Sequence, residues 1–157
     1  MISLGTVTLS SNASSVAFSN LNQDYKDLRI VMTGQTTDLC YVLILPNGST
    51  GNSKNFSFGA NSGNGGTGEF FTGGIGVCWG GGYFSNTETA IYVSDFYDYS
   101  TTGPHKGVIT RGGNAGVGVE TITGRYESSG TITSININSY GGLFKAGSSF
   151  TVYGIAG

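Results

Sequence analysis

The stretch Thr131-Ile132-Thr133-Ser134-Ile135-Asn136-Ile137-Asn138 interleaves isoleucine with Thr, Ser and Asn. Successive side chains of a β-strand point to opposite faces. As a strand, this segment puts Ile132, Ser134, Asn136 and Asn138 on one face and Thr131, Thr133, Ile135 and Ile137 on the other. Ile135 and Ile137 are expected to point into the core, leaving Ile132 to cover a sheet edge or a partner chain. Ser149-Phe150-Thr151-Val152-Tyr153-Gly154-Ile155 alternates in the same way. Both of its faces carry apolar groups, which suits a central or covered strand.

Outward from these two segments, strand spacing recurs along the chain. Candidate strands are 2–9, 16–18, 28–33, 39–45, 55–58, 90–97, 106–110, 117–126, 131–138 and 149–155. Almost nowhere do apolar residues recur at the three-and-four spacing of an amphipathic helix. Short β segments separated by Gly, Asn and Ser point to an all-β fold, an antiparallel sandwich of jelly-roll type. A chain of 157 residues fits one domain spanning 1–157, and a domain of that size buries roughly 70% of its unfolded surface.

Between Gly59 and Gly82 the alternation fails, and eleven of those 24 positions are glycine. Long loops without structure are uncommon in compact domains and are often functional. Phe70, Phe71, Ile75, Val77, Cys78 and Trp79 have no place in a solvated tether. The expectation is a glycine-rich insertion over 59–84 in which 69–71 and 75–79 pair as a hairpin or arm. Deleting 63–79 is expected to leave a folded sandwich.

Charged residues make up 10% of the chain and the net charge is -2, against about 25% charged in average soluble domains. The surface is therefore polar and largely uncharged. It lacks the basic footprint that binds phosphate backbones, so nucleic acid is not an expected partner. No run approaches the roughly 18 apolar residues of a membrane helix, and the opening Met1-Ile2-Ser3-Leu4-Gly5-Thr6-Val7-Thr8-Leu9 reads as a strand rather than a secretory leader. No membrane association is expected. Two cysteines, Cys40 and Cys78, do not make a disulfide scaffold. Free, partly buried thiols are the first reading and a Cys40–Cys78 bridge the alternative.

Candidate chemistry is sparse. His105 is the sole histidine, so a Ser-His-Asp arrangement would have to use it, and no nucleophile elbow accompanies it. A turn or interface position is the expectation for His105. Asp95 and Asp98, with Glu88 nearby, lie among Tyr92, Phe96, Tyr97 and Tyr99, where a carboxylate pair could cleave a glycosidic bond. Their spacing of three puts them on opposite faces of a strand, which argues against a shared site. One His, two separated Cys and no clustered acidic loop leave no ligand set for a structural metal. Gly63-Asn64-Gly65-Gly66-Thr67-Gly68 satisfies the dinucleotide-binding pattern only literally. That motif needs a parallel strand before it and a helix after it. No cofactor is expected, and no enzyme activity. The sequons at Asn12, Asn47 and Asn55 carry little weight without evidence of secretion.

What remains is nine Tyr, nine Phe and one Trp in a low-charge chain. Aromatic rings among Gly, Ser and Asn give contact area at small entropic cost. Most belong in the core. Phe70, Phe71, Trp79, Tyr83 and Phe84, in the glycine-rich segment, are the candidate partner-binding residues.

Three segments carry a family resemblance. Phe18-Ser19-Asn20-Leu21-Asn22-Gln23-Asp24-Tyr25-Lys26-Asp27-Leu28-Arg29-Ile30 runs from an aromatic through Tyr-x-Asp-Leu into an apolar strand. Val93-Ser94-Asp95-Phe96-Tyr97 is followed by Lys106 after a polar turn. The closing run from Ile132 ends in Gly147-Ser148-Ser149-Phe150-Thr151-Val152-Tyr153-Gly154-Ile155. In order and spacing these resemble a group of small virion structural proteins and fibre-tip domains of tailed phages, particularly phages of cyanobacteria and marine bacteria. The middle, 36–82, departs from that pattern, with Leu45-Pro46-Asn47-Gly48 and the glycine-rich insertion standing in place of a Phe-Asn-Gly-Asp stretch. The resemblance implies a jelly-roll-like sandwich located in the virion. Two roles follow as expectations. The first is a capsid decoration or cement protein on the outer surface of the head, binding the major capsid protein and copies of itself as a homotrimer. The second is a tail-fibre tip or lectin-like module that contacts tail proteins and grips a host surface glycan.

Overall fold

The computed structural model describes residues 1–51, 53–61, 64–79 and 83–157, with 58–61 and 64–71 described by their backbone alone. Among them there is no helix. The described residues form twelve strands: β1 (Ile2–Thr8), β2 (Ser15–Phe18), β3 (Asp27–Gly34), β4 (Tyr41–Pro46), β5 (Ser53–Asn61), β6 (Asn64–Phe71), β7 (Ile75–Cys78), β8 (Ala90–Phe96), β9 (Lys106–Asn114), β10 (Gly118–Tyr126), β11 (Ile135–Tyr140) and β12 (Ser149–Ile155).

All pairings are antiparallel. One sheet has eight strands in the order β1-β12-β3-β8-β9-β10-β5-β6, and the other has four in the order β2-β11-β4-β7. With the two hairpins β5–β6 and β9–β10 set aside, the chain steps between sheets at every strand except from β4 to β7, which are neighbours in the small sheet. The remaining sheets, β1-β12-β3-β8 and β2-β11-β4-β7, are then those of an eight-stranded jelly roll. Both hairpins are insertions that widen one sheet beyond β8.

Alternation builds the core. Leu28, Ile30 and Met32 of β3, Tyr92 and Phe96 of β8, and Phe150 and Val152 of β12 face Val42 and Ile44 of β4 and Ile135 and Ile137 of β11, all buried in one cluster. Phe84, Tyr92, Phe144 and Phe150 form a chain of ring contacts with centroids 4.9 to 5.8 Å apart. Burying side chains of this size contributes about 1.5–3 kcal/mol each. Strand β4 is covered on both sides, because Leu43 and Leu45 on its outer face pack against Ile122 of β10. The inserted strands thus curl around the β7 edge.

Four sequence expectations change here. Strand β11 begins at Ile135, not at 131. The preceding residues cross the end of the sandwich, where the Ile132 N–H donates to the Tyr99 carbonyl at 2.8 Å. Ile132 is fully buried and belongs to the core, not to an edge or a partner contact. The segments 69–71 and 75–79 do not pair with each other: β6 pairs with β5 in the large sheet and β7 with β4 in the small one. Because Ile75, Val77 and Cys78 are fully buried, residues 63–79 are not a removable arm. Cys40 and Cys78 are both buried and unbridged. The Cys78 thiol donates to the Cys40 carbonyl at 3.6 Å.

Candidate functional site

β7 is the edge of the four-stranded sheet, and its outer backbone groups need partners other than a strand. The inner face of β5 supplies them through Ser53 and Asn55, which are buried with Ser57 beside them. Ser53 Oγ accepts from the Gly74 N–H at 2.7 Å, Asn55 Nδ2 donates to the Gly74 carbonyl at 2.7 Å, and Asn55 Oδ1 accepts from the Gly76 N–H at 3.2 Å. Glu120 of β10 continues the row: one carboxylate oxygen accepts from the Ser57 hydroxyl and the other from the Trp79 N–H at 2.8 Å. Asn55 is 1% exposed, so its sequon offers no surface amide for a glycan.

This buried row holds Trp79 at the surface. Its ring meets Tyr41 edge-on at 4.7 Å, and Tyr41 stacks on Tyr140 at 5.2 Å with the planes 4° apart. All three are partly exposed, and they cap the Leu43, Leu45 and Ile122 cluster. Trp79 therefore lies in a partly exposed aromatic patch. Tyr83 is half-buried, and its carbonyl accepts from Asn114 Nδ2. Phe84 is fully buried against Tyr92 and Phe144 and is a core residue, which removes it from the binding set. Its backbone bridges Cys40, which draws the ring inward. Phe70 and Phe71 lie on β6 with their backbones opposite Phe56 and Asn55. Their side chains are outside the described residues.

The acidic candidates separate. Asp95 is on the outer face of β8, where Arg29 Nε reaches Oδ1 at 2.6 Å, Arg29 Nη2 reaches Oδ2 at 3.1 Å and Arg111 Nη1 reaches Oδ2 at 3.0 Å. Burial alone would push its carboxyl up, but the hydrogen bonds and charge of the two guanidiniums outweigh that and hold it below the usual carboxylate range. Asp98 lies past the end of β8 with a positive φ of 55° and faces Lys26 at 3.8 Å. Glu88 is exposed in the loop before β8. The arrangement does not assemble a glycoside-cleaving pair from Asp95 and Asp98. His105 is exposed in the loop between β8 and β9, with no side-chain hydrogen bond to any described residue. Among the described residues no three of His, Cys, Asp and Glu come together to hold a metal.

Sequence reasoning passed over the outer face of the eight-stranded sheet. Register lines up Arg29, Asp95, Ile109, Thr123 and Phe56 across β3, β8, β9, β10 and β5. Ile91, Val119 and Tyr97 are exposed on the same face. The available signal was the apolar content of both parities in Ala90-Ile91-Tyr92-Val93. Tyr41 and Tyr140 were likewise missed, since their pairing needs the β4–β11 register.

Compared with protein families, with curated proteins and with solved structures, the chain finds no match.

Proposed function

We propose that this chain is a structural protein of a phage particle, a capsid decoration protein that binds the outer surface of the major capsid protein and stabilises the head. Copies of the chain cluster as a homotrimer, which multiplies weak contacts through avidity. The observation that carries this reading is the outer face of the eight-stranded sheet, which leaves Phe56, Ile91, Tyr97, Ile109 and Val119 exposed together. A concentration of exposed apolar side chains on one sheet face is the mark of a protein contact. The resemblance of 18–30 and of the run ending at Ile155 to small phage virion proteins supports the location. Antibody labelling of intact particles is expected to decorate the head, and label confined to the tail would overturn the assignment.

One observation favours a second reading, a tail-fibre or lectin-like module that grips a host glycan. Tyr41, Trp79 and Tyr140 are partly exposed and lie beside Asn136 and Asn138 on the outer face of the small sheet. Under this reading the isolated protein binds host polysaccharide and competes with infection. Absence of competition at saturating protein would remove it.

A further inference from the structure

We infer that the outer face of the eight-stranded sheet docks on a flat protein surface rich in carboxylates, with Arg29, Asp95 and Arg111 as its preorganised anchor. The inference rests on the virion reading and names the chemistry of the partner.

All three arginines of the chain, Arg29, Arg111 and Arg125, lie on this face, joined by Lys54. Its carboxylates are already engaged. Asp95 takes three bonds from Arg29 and Arg111, Glu127 pairs with Lys54 at 3.3 Å and with Arg125, and Asp27 accepts from the Asp98 N–H at 2.8 Å. Donor capacity is left over. Arg29 spends Nε and Nη2 and Arg111 spends only Nη1, while their side chains stay 34% and 49% exposed. A guanidinium carries five N–H donors. A partner that satisfies this face must therefore bring acceptors, and carboxylates make the strongest, bidentate match.

The apolar content selects a protein over a polyanion. Phe56 is 50% exposed, Ile91 56% and Val119 62%, and none of these gains from a phosphate backbone. Arginine and aromatics with few lysines is the composition of interface centres. A shallow groove of about 280 Å³ beside Phe56, flanked by Lys54, Thr123 and Arg125, offers a seat for a protruding side chain. Preorganisation helps as well, because Asp95 holds both guanidiniums in place and less rotamer entropy is lost on docking. A second copy presenting the same face is disfavoured, since donors would meet donors. The aromatic patch at Trp79 is on the other sheet and stays available to a second contact.

The test places a photo-crosslinking phenylalanine analogue at Thr123, central on this face, or at Asn136, on the outer face of the small sheet, in chains assembled into particles. The expected result is an adduct from the Thr123 position to another virion protein, mapped to a peptide rich in Asp and Glu. Adducts from the Asn136 position alone, or from the Thr123 position to nucleic acid, would overturn the docking inference and leave the virion reading standing. Chain absent from purified particles would overturn both. Arg111→Glu is expected to lower occupancy of particles about tenfold at limiting protein. Arg111→Gln, folded by the same thermal melt as the parent, controls for misfolding. Undiminished occupancy with both variants refutes the anchor.

Discussion

Replacing Asp95 by Asn keeps the shape of the side chain and removes the charge on which Arg29 and Arg111 converge. The parent carboxylate is nearly buried and accepts three charge-assisted hydrogen bonds. Breaking a fully buried ion pair costs about 3–5 kcal/mol. Both arginines here are a third to a half exposed and can turn to water once released, which lowers the expected loss to about 2 kcal/mol. For a domain of this size that corresponds to a melting point lower by about 4–8 °C at pH 7. The sign of the pH dependence follows from the depressed carboxyl. Its contribution is fully present above the unfolded Asp value of about 3.9 and is lost as pH falls through the lower folded value. Thermal melts of the parent and of Asp95→Asn should therefore differ most near neutrality and converge towards about pH 2. A difference that persists undiminished in acid would refute the electrostatic account, and so would equal melting points at pH 7. A double-mutant cycle with Arg111→Met then isolates the pair, with an expected coupling of about 0.5–2 kcal/mol.

Glu120→Ala leaves the Trp79 N–H and the Ser57 hydroxyl without this acceptor; we expect a loss of about 2 kcal/mol and a red shift in the emission of the single tryptophan, whereas an unshifted spectrum would mean that Glu120 does not position Trp79. Gly112→Ala puts a Cβ 2.2 Å from the Ile91 carbonyl oxygen, so the β8–β9 pairing must open and the variant should be insoluble or melt far below the parent. Gly130→Ala, where the nearest atom is 3.7 Å away, serves as the neutral comparison. Burial pushes both the Cys40 and Cys78 thiols up, so neither should react with Ellman's reagent until denaturant opens the sandwich; fast labelling of native protein would contradict their burial.

Strand positions were legible wherever side chains alternate. The parity of 131–138 put Ile135 and Ile137 inside, where both are buried, and the same alternation separated Asp95 from Asp98. Glycine erases this signal. Strands β6 and β7 are only a few residues apart, yet they enter different sheets, and a segment rich in glycine has too few side chains to reveal which face each must bury. Phe84 illustrates the same limit: a ring next to Tyr83, between a glycine run and Ser85, looks free, but a bridge to Cys40 folds it into the core. The Arg29, Asp95 and Arg111 cluster was illegible for another reason. Its members come from β3, β8 and β9, 66 and 16 residues apart in sequence from Asp95, and only the register of two strand pairings brings them to one place.

The two surfaces of this molecule are products of the same inserted strands. On their outward parity β9, β10 and β5 carry Ile109, Thr123 and Phe56 into the wide face that surrounds Asp95. On their inward parity β10 and β5 carry Glu120, Ile122, Ser57 and Asn55, which satisfy the β7 edge, cover Leu43 and hold Trp79 beside Tyr41. A slip of β5 by one residue against β10 would turn Phe56 towards β7 and Asn55 and Ser57 outward, while β10, held by β9, kept Glu120 inside. The buried polar row is thus a register device as well as an edge cover, since Ser53, Asn55 and Glu120 find their backbone partners in only one alignment. A jelly roll lacking both hairpins would retain its inner core but lose the Ile109, Thr123 and Phe56 stretch of the docking face and the support beneath Trp79. Binding at either surface therefore depends on the insertions more than on the eight strands that define the fold.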